Sequence, residues 1–254
     1  MGRIIAVANQ KGGVGKTTTS INLSACIGAR GKKVLVIDMD PQGNTTSGYG
    51  IQKNELENTV YELIMGDCSV EDCILKEVVP NVSILPANVN LAAAEIELIG
   101  VKDKDFILKN EIDWVKDSYD FVIIDCPPSL NLLTINAMTT ADAVLVPIQC
   151  EYYALEGLSQ LIHTINLVKE RLNPSLNMDG VVFTMYDSRT NLSNQVVENV
   201  KNNLNQKVYN TLIPRNIRLA EAPSYGQPIS MYDPRSAGAE SYMALAEEVI
   251  RNNA

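Results

Sequence analysis

Residues 11 to 18 read Lys-Gly-Gly-Val-Gly-Lys-Thr-Thr and follow directly on a short apolar run, Ile4 to Ala8. Glycines in such a turn let backbone N–H groups close around phosphate oxygens. Lys16 adds a mobile positive charge, and Thr17 offers a hydroxyl to Mg²⁺. The pattern departs from the standard phosphate loop at one point. A glycine belongs five residues before Gly15, where this chain has Gln10, and an extra lysine, Lys11, stands at the loop's leading edge. A strand, this octapeptide and then a helix-like stretch ending at Gly31 together point to the binding of a nucleoside phosphate.

Two more segments with useful chemistry close apolar runs. Asp38-Met39-Asp40-Pro41-Gln42-Gly43-Asn44 follows Lys33–Ile37, and Asp125-Cys126-Pro127-Pro128-Ser129 follows Phe121–Ile124. Ligands of open parallel sheets bind at the carboxyl ends of the strands, so both segments are expected on the same edge as the phosphate loop. Asp125 is placed to hold the Mg²⁺ shell through water, because Mg²⁺ keeps several of its waters when bound. Asp38 and Asp40 stand two residues apart on an extended segment, so their side chains point the same way. One can support the metal while the other orients the attacking water. Each of these aspartates, Asp38 above all, has a plainer reading as a helix N-cap or turn former.

The elements that must position these groups are written in the apolar runs. Strands are expected at Ile4–Asn9, Lys33–Asp38, Val82–Pro86, Phe121–Asp125, Ala143–Ile148, Gly180–Met185 and Val208–Ile213. Helices are expected at Thr17–Arg30, Thr59–Met65, Asp103–Lys116, Leu155–Leu172, Ser193–Leu204 and Ala237–Arg251. Several strand candidates are continuously apolar, such as Val34-Leu35-Val36-Ile37 and Phe121-Val122-Ile123-Ile124. That pattern suits strands buried on both faces, as in a parallel sheet covered by helices. The alternation predicts an α/β fold with a doubly wound, mostly parallel β-sheet flanked by helices. With no internal repeat or linker, residues 1–254 are expected to form a single domain. The stretch from Gln52 to Val101 carries little chemistry, and its Leu56, Leu63, Ile74 and Leu91 to Leu98 are expected to pack a helical flank and dimer surface.

Bulk properties narrow the function. The five cysteines are Cys26, Cys68, Cys73, Cys126 and Cys150, without a Cys-x-x-Cys pair, and the one histidine is His163. Buried or incidental thiols in a reducing cytosol fit this better than a zinc or iron–sulfur site. No apolar run approaches the ~18 residues of a membrane span, and the N-terminus has no signal-like stretch, so a cytoplasmic protein is expected. The net charge of −9 argues against a generic nucleic-acid binder. The average hides an asymmetry: Met185 to Arg235 holds six basic and four acidic residues, a net of +2, and the remainder is −11.

Taken together, Lys11–Thr18 and the two strand-end segments closely resemble the ParA/MinD family of deviant Walker A ATPases. Gln149-Cys150-Glu151-Tyr152-Tyr153-Ala154-Leu155-Glu156-Gly157, Ile213-Pro214-Arg215-Asn216 and Arg218-Leu219-Ala220-Glu221-Ala222-Pro223-Ser224-Tyr225-Gly226 are similar to its chromosomal ParA, or Soj, branch. The resemblance covers essentially the whole chain. It implies a P-loop NTPase fold of the deviant Walker A type, with ATP and Mg²⁺ as cofactors and slow hydrolysis to ADP and phosphate. The nucleotide is bound by Lys11, Gly12, Gly13, Val14, Gly15, Lys16, Thr17 and Thr18, with Pro214 and Asn216 approaching the adenine. Thr17, Asp38 and Asp125 surround the metal, and catalysis falls to Lys11, Lys16 and Asp40, the last positioning water. The family forms an ATP-bound sandwich homodimer in which Lys11 reaches the partner's phosphates and Gly12 lies where two loops approach. That dimer binds double-stranded DNA without sequence preference. Arg189 and Arg218 match the family's DNA-contact positions, with Arg215 and Lys201 as auxiliaries. A ParB-type centromere-binding protein stimulates hydrolysis, and the protein works in chromosome partitioning, associated with the nucleoid.

The rival within the family is a MinD-like, membrane-associated positioning ATPase. That role asks for a basic amphipathic C-terminal helix. The chain ends Leu245-Ala246-Glu247-Glu248-Val249-Ile250-Arg251-Asn252-Asn253-Ala254, with two acids and one base, so no stable membrane anchor is expected. Plasmid-type relatives carry a DNA-reading domain ahead of the first strand, and an early strand at Ile4 argues against it. An iron–sulfur reductase with the same loop would need a cysteine partner that Cys126 lacks.

Overall fold

Strands in this chain carry apolar side chains on both faces, and the sheet they build is buried on both. The computed structural model describes residues 2–151 and 154–253, with the side chains of 154–156 left out. Tyr152 and Tyr153 of the Gln149–Gly157 segment therefore lie outside the described residues. Eight strands are present: β1 (Arg3–Val7), β2 (Val34–Asp38), β3 (Leu75–Val79), β4 (Val82–Leu85), β5 (Phe121–Asp125), β6 (Ala143–Gln149), β7 (Asn177–Tyr186) and β8 (Val208–Pro214). They form one sheet in the order β3-β4-β2-β5-β1-β6-β7-β8. All neighbours pair in parallel except β3 and β4.

Alternate residues of each strand feed two separate cores. Ile4, Ala6, Leu35, Ile37, Val122 and Ile124 pack on one face. Ile5, Val7, Val34, Val36, Phe121 and Ile123 pack on the other. The helices Lys16–Ala29 and Ala237–Asn252 lie against the second face, and the Thr19 hydroxyl meets that of Tyr242 at 3.1 Å. Tyr242, Leu245, Ala246 and Val249 are buried along the final helix, so its apolar face is spent inside the protein. No helix among the described residues is long and apolar enough to cross a membrane. The doubly wound, mostly parallel α/β architecture expected from the sequence is present.

Several elements differ from expectation. The edge strand β3 was not anticipated, since Leu75-Lys76-Glu77-Val78-Val79 is half-exposed, irregular in register and bent by a left-handed Glu77 (φ 52°). The helix expected over Asp103–Lys116 is a six-residue helix, Ile107–Ile112, between two 3₁₀ turns. Leu132–Thr140 was missed as a helix because it is buried over most of its circumference, with only Leu132 and Ile135 half-buried, which weakens the 3.6-residue period. Its Asn131 cap accepts from the Thr134 N–H, and the Thr139 and Thr140 hydroxyls bond the carbonyls four residues back.

The helix Lys16–Ala29 must sit close to the β3–β4 turn for its N-terminus to meet the strand ends. At Gly28 an added Cβ would lie 2.8 Å from the Pro80 carbonyl oxygen and 2.8 Å from Val82 Cγ2. Helix propensity alone favours alanine there by about 1 kcal/mol. The close approach should reverse that sign, so Gly28→Ala is expected to destabilise the protein by about 1–3 kcal/mol. The midpoint of urea unfolding measures it, and a raised midpoint would overturn the packing argument.

Candidate nucleotide-binding site

The turn after β1 is shaped by two glycines in left-handed backbone, Gly13 (φ 72°) and Gly15 (φ 89°), where a side chain would strain the chain. Its leading edge is pinned by Asn9, which donates to the Pro147 carbonyl at 2.8 Å and accepts from the Lys11 N–H at 3.0 Å. Its far side is pinned by Thr184 at the end of β7, whose hydroxyl bonds the carbonyls of Val14 (2.8 Å) and Ile148 (3.1 Å). Val14 itself is buried. Among the described residues, no backbone N–H from Gly12 to Thr18 donates to a protein acceptor. Seven donors at a helix N-terminus, with the positive end of its dipole, make a cradle for an anion. Lys16 extends along that cradle, its amine held by the Lys11 carbonyl at 3.1 Å.

Parallel register brings the carboxylates together. Asp38 and Asp125 are direct partners across β2 and β5, and Asp125 is level with Val7 of β1. Both aspartates are fully buried. Asp125 Oδ2 accepts from the hydroxyls of Thr17 (2.8 Å) and Thr45 (2.7 Å), and Oδ1 from that of Ser20 (3.0 Å). Asp38 Oδ2 accepts from the Thr46 N–H (2.9 Å) and hydroxyl (2.8 Å), and Oδ1 from the Asp40 N–H (3.2 Å). Asp38 thus ties down the short helix Asn44–Gly48 through Thr46, while Gly43 is the residue at that helix's N-cap, and it lies beside the metal-holding candidate Asp125. Asp40 bonds the Gln42 N–H at 2.9 Å and keeps its second carboxylate oxygen.

Electrostatics follow from burial. Desolvation raises the pKa of Asp38, helped by the charge of Asp125. Desolvation raises Asp125 as well, opposed by the hydroxyls of Thr45, Thr17 and Ser20. Lys16 is lowered by its own burial, against the pull of Asp125, Cys126 and Asp40. The group is one positive charge over a crowded set of negative ones. A divalent cation beside Asp125 and Thr17 would relieve that crowding, and the oxygen-only donor set suits Mg²⁺.

Beyond the cradle lies a cavity of about 370 Å³, lined by Gly15, Thr18, Met185, Pro214, Asn216 and Tyr242 among others. It is mostly apolar, within the size range of a small-molecule site, and continuous with the phosphate loop through Gly15 and Thr18. Asn216 spends its carbonyl oxygen capping the helix Ile217–Glu221 through the Arg218 N–H at 2.9 Å. A second cavity, about 480 Å³, opens at the opposite edge of the sheet between Arg3, Lys33 and Asp120, away from all of these groups.

The remaining candidate residues fall in three places. Lys11 is half-exposed and pairs with Glu151. Arg189 and Arg215 follow the adjacent strands β7 and β8, with Arg218 in the next helix. Arg189 grips Asp187 through Nε (2.9 Å) and a terminal nitrogen (2.7 Å), and Arg215 contributes to the same carboxylate's lowered pKa. Arg218 is shared by Glu221 (2.8 Å) and Asp233 (3.4 Å). Lys201 is apart, in the last turn of the helix Asn191–Asn203, about 15 Å along the axis from its start. Sequence reasoning missed Asn9, Ser20, Thr45 and Thr184, whose hydroxyls and amide have no distinctive spacing.

Comparison with known proteins agrees with this geometry. Residues 2–178 match the family described as an AAA domain. The sporulation initiation inhibitor protein Soj of Bacillus subtilis is 57% identical, over 99% of this chain and 100% of its own length. The chromosome partitioning protein ParA of Myxococcus xanthus is 48% identical, over 100% of this chain and 89% of its own. The crystal structure of a Mycobacterium smegmatis protein named cobyrinic acid a,c-diamide synthase, with bound ADP and magnesium, superposes with a TM-score of 0.88. It is 37% identical, over 99% of this chain and 95% of that one.

The raised Asp38 sets a pH dependence. Its carboxyl holds a proton more tightly folded than unfolded, so above the ordinary carboxylate value of about 4 the unfolded state binds fewer protons and stability falls as pH rises. Asp38→Asn removes that titration. The stability of wild type relative to Asp38→Asn, from thermal melts without nucleotide, should therefore decline as pH rises from about 4 towards neutrality. A wild-type stability that rises relative to Asp38→Asn over the same range would contradict the assignment.

Proposed function

The chain belongs to the ParA/Soj family of chromosome-partitioning ATPases, and from that premise we infer that it binds ATP with Mg²⁺, dimerises around the nucleotide and hydrolyses it slowly. The convergence of Lys16, Thr17, Asp40 and Asp125 beneath seven unspent N–H donors carries this reading. Mg²⁺, when bound, would supply charge neutralisation for the phosphates. Thr17 and Asp125 would hold the metal, Thr17 by its hydroxyl oxygen and Asp125 through water, with Asp38 behind them. Lys16 sits over the transferred phosphoryl group, and Asp40 orients the attacking water with its unshared oxygen. Pro214 and Asn216 line the cavity suited to the adenine ring.

The exposed Lys11 is the residue that reaches the partner's phosphates. Its bond to Glu151 joins two half-exposed side chains, a kind of pair worth about 0–1 kcal/mol, so it gives way readily to a phosphate. Gly12 has nothing within 4 Å of where a Cβ would stand, and its backbone needs no glycine. Gly12→Val should consequently fold and bind ATP as a monomer yet fail to dimerise, measured by light scattering with ATP. A dimer as stable as the wild type's would remove Gly12 from the interface.

In the ATP-bound dimer, Arg189, Arg215 and Arg218 meet the phosphates of double-stranded DNA, with Lys201 in a lesser role. Binding of this kind has no sequence preference and weakens steeply with salt. A ParB-type partner stimulates hydrolysis and so releases the dimer from the nucleoid, which makes the chain a chromosome-positioning switch. The test is binding to nonspecific duplex DNA with ATP and with ADP. Asp40→Ala should bind with ATP and hydrolyse at least about a hundredfold more slowly. Arg218→Glu should hydrolyse and not bind. Absence of DNA binding in every nucleotide state, with ATP bound, would sink the reading.

A further inference from the structure

The flank between Gln52 and Val101 concentrates two features that the site chemistry leaves unused. The first is an outward apolar stripe. Backbone turns extend the helix Leu91–Glu97 at both ends, from Asn88 to Val101. Leu91, Ala94 and Leu98 are buried on its inner side. Val89, Ile96 and Ile99 recur at helical spacing on the outer side, 68%, 72% and 71% exposed. Three large aliphatic side chains left in water along one helix face offer apolar area to a partner.

The second feature is charge. Residues 52–101 hold nine acidic residues against two lysines, a net of −7 in a chain whose total is −9. None of those nine carboxylates forms an ion pair among the described residues. Glu95 and Glu97 border the stripe directly. Tyr61, on the neighbouring helix Val60–Met65, donates its hydroxyl to Glu97 at 2.9 Å and lies within the field of Glu62 and Asp67. An apolar strip in an unneutralised acidic surround is complementary to a basic amphipathic segment and repels a second copy of the same flank.

The flank also touches both catalytic loops. Glu95 accepts from the side-chain amide of Asn131, which caps the helix following the Asp125–Ser129 segment. The Ala87 N–H donates to the Thr46 hydroxyl at 2.9 Å, and that hydroxyl donates to Asp38. A ligand that shifts this helix therefore acts on the Asp38–Asp40 loop through one bond chain and on the Asp125 loop through another.

We propose that the Val89–Ile96–Ile99 stripe and its acidic border dock a basic amphipathic segment of the partner protein that stimulates hydrolysis. The inference rests on the functional reading above and adds where that partner binds. Its test compares wild type, Ile96→Ser with Ile99→Ser, and Glu97→Lys in steady-state ATPase assays with DNA, with and without the ParB-type protein of the same organism. Stimulation should fall about tenfold in the double variant, as for loss of a docking anchor, and several-fold in Glu97→Lys. Basal turnover and ATP-dependent DNA binding should stay at the wild-type level. Undiminished stimulation in both variants overturns the inference and leaves the functional reading standing. Loss of the ATP-bound dimer in the double variant also overturns it, and assigns the stripe to a second copy. A wild type that hydrolyses ATP and binds DNA without responding to the ParB-type protein instead removes the premise.

Discussion

Two carboxylates fixed in register on adjacent strands, both out of contact with water, are the constraint around which this protein is arranged. Asp38 and Asp125 are direct neighbours across β2 and β5. Burying one carboxylate costs several kcal/mol and a second beside it adds repulsion, unless donors surround both. Six side-chain and backbone donors close on them within the protein, from Thr17, Ser20, Thr45, Thr46 and Asp40, with Thr46 donating twice. To supply those donors, the helix after the glycine loop must begin at Lys16 and the chain after β2 must turn back within a few residues into the short helix Asn44–Gly48. The position of Lys16, Asp40 and the phosphate cradle follows from satisfying the carboxylates.

The same sheet separates two kinds of surface. On the β3–β4–β2 side stands the acidic, apolar-striped flank, and on the β6–β7–β8 side stand the candidate nucleotide cavity and the exposed arginines. A chain with net charge −9 can approach a polyanion only if its charge is unevenly distributed. Here most of the excess negative charge lies in residues 52–101, away in the sheet order from Arg189, Arg215 and Arg218. Those arginines are themselves held by Asp187, Glu221 and Asp233. Their exposure keeps such pairs weak, so phosphates can compete for them.

Much of this was legible before any fold was in view, for reasons that are local. Gly13 and Gly15 occur where the backbone is left-handed, a demand that only glycine meets freely, so the loop is visible as a string of residue types. Continuous apolar runs ending in aspartate mark strands covered on both faces, and they located β2 and β5 together with Asp38 and Asp125. What the run of residues left open was the role of Asp38. Its two-residue spacing from Asp40 suits a pair facing a phosphate, and its position also suits a cap or turn former.

Sequence alone determined the phosphate loop, the parallel α/β architecture and the edge on which the chemistry lies, because each depends on backbone conformation or on the apolar pattern within one element. Tertiary structure decided the rest. Ser20 and Thr45 reach Asp125 across 105 and 80 residues, and Thr184 reaches Val14 across 170. A hydroxyl residue in a helix or strand carries no sign of which distant oxygen it will meet. The helix Leu132–Thr140 lost its period by being buried over most of its circumference, and the apolar run from Leu91 to Leu98 did not show that Ile96, with Val89 and Ile99, would face outward. Which apolar face is covered depends on what packs against it, and that is fixed by the order and register of the strands.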